Sequence, residues 1–330
     1  MHDNPTITFV CCVESGPLEA QTVRMVESVR MFGGRFASAP IVAVTPRPGP
    51  RISTATRAMF RRHEVEHMRL PGCRKYNWFN FFNKPLALVA AEAHTHTEFV
   101  GFLDSDLLIV REPELLEPRT GEDLTAFPVE IKEMGTTGPG DPYEEFWKAS
   151  CQVVGIELEA LPWITTAQSK ERVRLYFNSG IFAYRRGTGF GAEYLRVCRA
   201  LLDSRVGTNA PGYGLGFKEQ VSVGFAAATL GLNWRALPYS HNYPLSSITP
   251  YDPALLAGAR VVHYHDAMWP PFWSTFLQRI RETQPHTAAW LTALGPMKND
   301  APLLSRFLAK ALRAARTRQA ERYRAACTAC

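Results

Sequence analysis

The sequence predicts an α/β protein with a mixed, mostly parallel central sheet flanked by helices. Short apolar runs alternate with segments of helical period over the first hundred residues. One such run, 98–104, and a later one, 259–263, pass directly into acids or imidazoles. No internal repeat and no linker-like stretch interrupts the chain, so one domain with insertions is expected rather than two units.

Residues 7–13 form a continuous apolar run, the signature of a strand buried on both faces. Over 18–32, Val23, Val26, Val29 and Met31 recur as on a helix, which Gly33-Gly34 ends. Residues 40–45 read as a second strand and 46–50 as a Pro-rich loop. A helix at 57–62 and a strand at 65–70 follow. After an aromatic stretch (76–84), Pro85 suits the first turn of a helix reaching 93, and 98–104 is a strand that ends in acid. The second half is more mixed. Strands are expected at 124–129, 175–184 and 259–263, and helices at 143–153, 192–202 and 219–230.

At 330 residues and 46% hydrophobic, the chain can bury a large core, and its 11% aromatic content excludes disordered and fibrous classes. No apolar run approaches the roughly 18 residues of a membrane span. The N-terminal residues run almost at once into the first strand without a secretory leader, which points to a cytoplasmic protein. Seven cysteines, an odd number, fit free thiols. Cys327 and Cys330 have C-x-x-C spacing but no further ligands nearby, and a frayed, inert tail is expected there. The net charge is +6, with much of the excess in the last thirty residues, so nucleic acid is not an expected partner.

The sharpest local feature is Asp104-Ser105-Asp106, the only D-x-D in the chain, set within apolar sequence where unpaired charge is costly. If the strand continues through them, residues two apart face one side and the two acids converge. Strand carboxyl ends are where ligands bind in such sheets, and two hard oxygens suit Mg²⁺ or Mn²⁺ with positions left for phosphates. A solvated turn is the alternative. Asn178-Ser179-Gly180 places polar groups and a glycine inside an apolar strand, as close ligand approach requires. Glu219-Gln220 opens an apolar helix, where it can hold hydroxyls or serve as ordinary helix-start acidity. His263, His265, Asp266 and Trp269 follow a buried strand, and a neutral imidazole is a ready metal ligand.

In order, NKPLAL, FLDSDLLIV, YFNSGIFAYRR, KEQVSVGF and VVHYHDAMWPP resemble the retaining glycosyltransferases of the GT-A fold, most closely glycosyltransferase family 8, over about residues 5–275. That resemblance implies a nucleoside-diphosphate-sugar donor and Mn²⁺ (or Mg²⁺) bound by Asp104, Asp106 and His263. It places Lys84 and Ser105 near donor sugar or phosphate, Asn178, Ser179 and Gly180 along the sugar pocket, and Val13 and Glu14 at the nucleobase. Glu219 and Gln220 match the family's acid–Gln pair. Asp266 stands where the family has glycine, and Trp269 takes the place of a diphosphate-clamping lysine, which leaves the clamp to another base such as Arg111 or makes it weaker. Asp266 acting as a base would give inversion; without a base, retention is expected.

The implied organisation is one catalytic domain, 1–300, with a nucleotide-binding half at 1–110 and a sugar and acceptor half at 111–300, followed by a basic helix and tail, 301–330. The acceptor is a glycan, a lipid-linked sugar or a protein. Over 302–326 an apolar stripe (Leu304, Phe307, Leu308, Ala311, Leu312, Ala315) is ringed by arginines. It suits either packing on its own domain or peripheral contact with an anionic membrane. An inactive nucleotide- or carbohydrate-binding module and a metal-dependent hydrolase are compatible with the same residues.

Overall fold

A computed structural model describes residues 5–207 and 214–329. The chain opens with β1 (Ile7–Cys12), α1 (Pro17–Phe32), β2 (Ile41–Thr45), α2 (Thr54–Arg62), β3 (Val65–Arg69), α3 (Asn83–Glu92) and β4 (Phe99–Leu103). It continues through β5 (Leu107–Ile109), β6 (Leu124–Pro128), α4 (Glu144–Val154), β7 (Trp163–Thr165), β8 (Arg172–Arg174), β9 (Phe177–Arg185) and α5 (Phe190–Ser204). Then come β10 (Val206–Gly207), α6 (Gly214–Thr229), β11 (Trp234–Ala236), β12 (Tyr243–Pro244), α7 (Pro253–Gly258) and β13 (Val261–His263). Three helices close the chain, α8 (Trp273–Thr283), α9 (Pro285–Leu294) and α10 (Leu303–Ala325), before β14 (Thr328–Ala329).

The central sheet has seven strands in the order β11-β6-β9-β4-β1-β2-β3, with β9 antiparallel to both of its neighbours. The α/β class and the mostly parallel sheet read from the sequence are both present. Alternation along each strand divides the core between the two faces. Val10, Val42, Phe102 and Phe182 pack on the side of α3, α5 and α6, while Phe9, Ile41, Leu103 and Ile181 pack on the side of α1. A third core cluster lies beneath α8 and α9, around Val262, Tyr264, Phe276 and Ile280. Among the described residues no helix is long and apolar enough to cross a membrane.

Four details differ from the sequence reading. The strand ending at Leu103 does not continue through the D-x-D. The chain turns there, with Leu107 N donating to Asp104 O at 3.2 Å, and β5 leaves the central sheet to pair with β13. Helix α6 starts at Gly214, so Glu219 and Gln220 lie in its second turn rather than at its start. The C-terminal tail is not frayed through Ala329: β14 pairs with β10, Thr328 opposite Val206. Cys330 lies outside the described residues. Helix α10 packs on the domain from about Ala309 onward, and its first turns stand open. Leu303, Leu304 and Phe307 are 81%, 70% and 70% exposed, too open to count as core.

Candidate functional site

Walking across the sheet, the connections from β1 run to β2 and β3 on one side and to β4 on the other. Ligands bind at such a reversal, outside the strand carboxyl ends. The carboxyl end of β1 carries Val13 and Glu14, and that of β4 carries Asp104. Because β9 is antiparallel with Leu103 opposite Ile181, Asp104 meets Gly180, whose carbonyl accepts from Asp104 N at 2.8 Å. In the small sheet Leu107 is opposite His263, and Tyr264 N donates to Asp106 O at 3.1 Å. The 104–107 turn therefore joins two sheets and brings residues from three distant segments together.

Asp106 is the centre of the cluster. His263 Nε2 lies 3.2 Å from Asp106 Oδ1, and His265 Nδ1 lies 3.7 Å from Oδ2. The two imidazoles stack with centroids 4.0 Å apart. One ligand atom from each of Asp106, His263 and His265 falls within 4.8 Å of the others, which suits a divalent cation. His265 sits at φ 50°, a left-handed conformation that non-glycine residues rarely adopt and that aims its ring at Asp106. Buried His263 Nδ1 has no hydrogen-bond partner. A Cβ built on Gly180 would come within 3.1 Å of Asp104 Oδ2 and 3.4 Å of His263 Cε1, so only glycine lets the strand approach this closely.

Asp104 is brought beside Asp106, yet its side chain serves a different partner. Lys84 Nζ donates to Asp104 Oδ2 (2.8 Å), Ser179 O (3.2 Å) and Ser179 Oγ (3.1 Å), which accounts for all three of its donors. Burial works against the Lys84 charge, but Asp104, Glu219 and Asp106 outweigh it and hold its pKa above the usual value. Burial raises the Asp104 carboxyl against the pull of Lys84. Burial would also raise Asp106, but His263 and His265 hold it down at about 2. His263 is raised: burial opposes its protonation and Asp106 more than offsets this. Burial and the neighbouring His263 push His265 down to about 4.

The remaining expected residues divide into those that face the cleft and those tied up within the fold. Glu14 lines the cleft and is held by Arg47 (2.5 and 2.9 Å) and by Asn83 Nδ2 (2.8 Å). Val13 is fully buried and contributes backbone, its N donating to Val44 O. Ser105 Oγ donates to Cys12 O at 2.7 Å, so its side chain locks the turn to β1. Asn178 Oδ1 accepts from Gly180 N at 2.8 Å. Glu219 is 1% exposed and accepts from Ser179 Oγ (3.0 Å) and Tyr194 OH; burial pushes its carboxyl up to about 7 despite Lys84. Gln220 donates to Tyr176 OH at 2.8 Å. Asp266 accepts from Ser247 N (3.1 Å) and Ser247 Oγ (2.8 Å), which ties it to the loop between β12 and α7. Trp269 is half-buried on the third core cluster. Arg111 lies beyond the Ile109–Val261 end of the β5–β13 ladder, the end away from His263, and is not placed to clamp a diphosphate.

Sequence reasoning missed Arg47, Asn83, Tyr194 and Glu130, and it noted His265 without making it a ligand. Glu130 follows β6 at the same sheet edge, hydrogen-bonds Asn178 and Asn242, and has its pKa raised by burial. Its signal was the one that exposed Asp104, an acid directly after an apolar strand. Arg47 and Asn83 offered no comparable pattern.

A family model described as the Rhodobacterales glycosyltransferase domain matches residues 9–231. The chain belongs to that family. It thus carries a glycosyltransferase domain, on a mixed α/β architecture with a mostly parallel sheet. No curated protein matches it in sequence. Among solved structures it is similar to the WbbM bifunctional glycosyltransferase (13% identity, TM-score 0.49), with 87% of this chain and 51% of that one covered. The chain thus spans about half the length of WbbM. It is also similar to the galactosyltransferase LgtC solved with donor and acceptor sugar analogues (14% identity, TM-score 0.48, 86% and 96% covered). A third likeness is to GlyE of Streptococcus pneumoniae (11% identity, TM-score 0.47, 91% and 67% covered). The family assignment rests on the family model.

Proposed function

We propose that this glycosyltransferase moves a sugar from a nucleoside diphosphate to an acceptor hydroxyl, with retention, using a divalent cation at Asp106, His263 and His265. The observation that carries the reading is the meeting of one carboxylate and two imidazoles beside the Lys84–Asp104 pair, at the edge where the sheet order reverses. The sequence set of Asp104, Asp106 and His263 is revised accordingly, with His265 added and Asp104 at the margin, shared with Lys84. Two imidazoles with one carboxylate favour Mn²⁺ over Mg²⁺. Bound there, the cation supplies Lewis-acid charge that stabilises a departing diphosphate.

The chain's own residues would do the rest. Lys84 keeps a fixed positive charge at the floor of a cleft of about 300 Å³ lined by Glu14, Asn83, Lys84, Asp104 and Asp106. Gln220 and Asn178, whose amides bond Tyr176 and Gly180, would shape the sugar pocket from behind. Glu219 acts through Ser179 and Lys84, as a positioning residue. Retention is supported because Asp266, the candidate base, is engaged by Ser247 through both oxygens. Residues 1–300 carry the transfer chemistry in this reading, with the sheet side of the nucleotide site supplied by 1–110. Closeness to family 8 rests on the motifs alone.

Incubation with Mn²⁺, a panel of nucleotide sugars and candidate acceptors tests the reading. Transfer is expected, abolished by chelation and by Asp106→Asn. Binding without turnover would make the protein an inactive nucleotide module, and release of free sugar alone would make it a hydrolase.

The exposed row Leu303, Leu304, Phe307 and Leu308, with Arg306 and Lys310 beside it, supports a second part of the proposal: contact with an anionic membrane that presents a lipid-linked acceptor. Cosedimentation with anionic vesicles should fall when Leu304 and Phe307 are changed to Ser, and equal pelleting would rule the contact out.

A further inference from the structure

Beyond the sugar end, the cleft continues. A second cavity of about 380 Å³ shares Glu14, Arg47 and Asn80 with the first, so the two form one trough along the carboxyl ends of β1 and β2. Its far wall is not part of the sheet domain. It is α10, which contributes Leu312, Arg313, Arg316 and Thr317. The combined space is ample for a nucleotide.

The charge in this trough is unbalanced. Glu14 is the one carboxylate lining the second cavity, and Arg47 already pairs with it through two nitrogens. Arg316 approaches the same carboxylate only to 3.9 Å and donates to the Pro48 carbonyl; its side chain is 17% exposed. Arg313 and Arg324 add two more guanidiniums to the lining. Burial and the neighbouring Arg47 both lower the Arg316 pKa, as expected where two cations face one anion. A phosphate-bearing ligand would satisfy those donors, and guanidinium is the group that recognises phosphate in two-pronged fashion. The helix is held in place near its C-terminal end, beside the trough wall that Trp78 forms. The Tyr323 ring packs on Trp78 at 4.8 Å, and its hydroxyl bonds the Leu202 carbonyl at 2.6 Å.

We infer that α10 is a wall of the nucleotide end of the donor site, and that Arg316 on this helix binds the nucleoside diphosphate, with Arg47 beside it held by Glu14 and the Asn77 carbonyl. The inference rests on the nucleotide-sugar reading above and deepens it. It also supplies the diphosphate-clamping cation that Trp269 removed from the motif after His263. The exposed apolar residues proposed above for membrane contact occupy the first turns of the same helix, so one element would connect lipid contact to donor binding.

The test is equilibrium binding of UDP, GDP, CDP and dTDP to the full chain with Mn²⁺ by titration calorimetry. Arg316→Gln and Leu312→Trp, which fills the trough, are compared with Arg318→Gln on the exposed face of α10. The first two should weaken the nucleotide that binds by roughly tenfold or more. Arg318→Gln, Mn²⁺ affinity and thermal midpoint should be unchanged. If the unmodified chain binds a nucleotide and both variants bind it within twofold as well, α10 is not part of the site and the transferase reading stands. If the unmodified chain binds none of the four, the nucleotide-sugar reading fails and this inference fails with it.

Discussion

Lys84 offers the most demanding test of the electrostatics beneath the cleft. Its ammonium makes three hydrogen bonds and stands between Asp104 and Glu219. Lys84→Met keeps the apolar stem and removes the charge, leaving Glu219 and Asp104 without the ammonium between them. Breaking a buried pair costs about 3–5 kcal/mol. The Lys84 side chain is 9% exposed and that of Asp104 22%, so some water reaches the pair and the lower figure, about 3 kcal/mol, applies. At about 2.1 cal/mol/K per residue the 330-residue chain unfolds with roughly 0.7 kcal/mol/K, so the midpoint should fall by about 4 °C.

The loss should depend on pH in a defined sense. A carboxyl whose folded pKa lies above its unfolded value destabilises the fold when ionised, and the penalty is relieved as pH falls through the folded pKa. Glu219, raised from 4.5 to about 7, and Asp104, also raised, both obey that sign. Differential scanning calorimetry in chelator should therefore show a larger deficit for Lys84→Met at pH 8 than at pH 5.5. The double variant Lys84→Met/Asp104→Asn should recover at least about 1 kcal/mol relative to additivity. A deficit independent of pH, together with strictly additive double-variant energies, would refute the argument that Lys84 neutralises buried charge.

Other expectations follow from the same geometry. His265→Ala should weaken Mn²⁺ binding by about tenfold or more, measured by electron paramagnetic resonance; an unchanged affinity would return the ligand set to Asp104, Asp106 and His263. Gly180→Ala places a Cβ 2.9 Å from Asn178 Oδ1, which accepts from Gly180 N. It should cost about 1 kcal/mol of stability while cutting transfer by more than tenfold, because Asp104 and His263 must shift by tenths of an ångström. Equal activity with normal Mn²⁺ affinity would show that the strand does not need to approach so closely. Glu219→Gln removes a group titrating near 7 and should flatten the fall in stability between pH 5.5 and 8; an unaltered profile would place that titration elsewhere.

The sequence by itself determined the alternation of strands and helices, the identity of the carboxyl-end residues and the order of the motifs. Apolar periodicity is a local property, and an acid or imidazole directly after a buried strand stands out without any knowledge of the fold. Asp104, Asp106 and His263 were legible for that reason, and Lys84 only through the family resemblance. Tertiary structure alone decided which of them share a partner. The chain turns at Asp104 and carries Asp106 into a second sheet, so the pair is brought together by a turn and not by strand alternation. Lys84 then claims Asp104, and His265, turned by a left-handed backbone, completes the set around Asp106. Tertiary structure also decided that Glu219 is consumed by Ser179 and Tyr194, and that the last helix returns to cover Glu14 and Arg47. Those pairings span up to about three hundred residues of chain. Local patterning specifies what each segment buries, and it carries no information on which distant segment supplies the counter-charge.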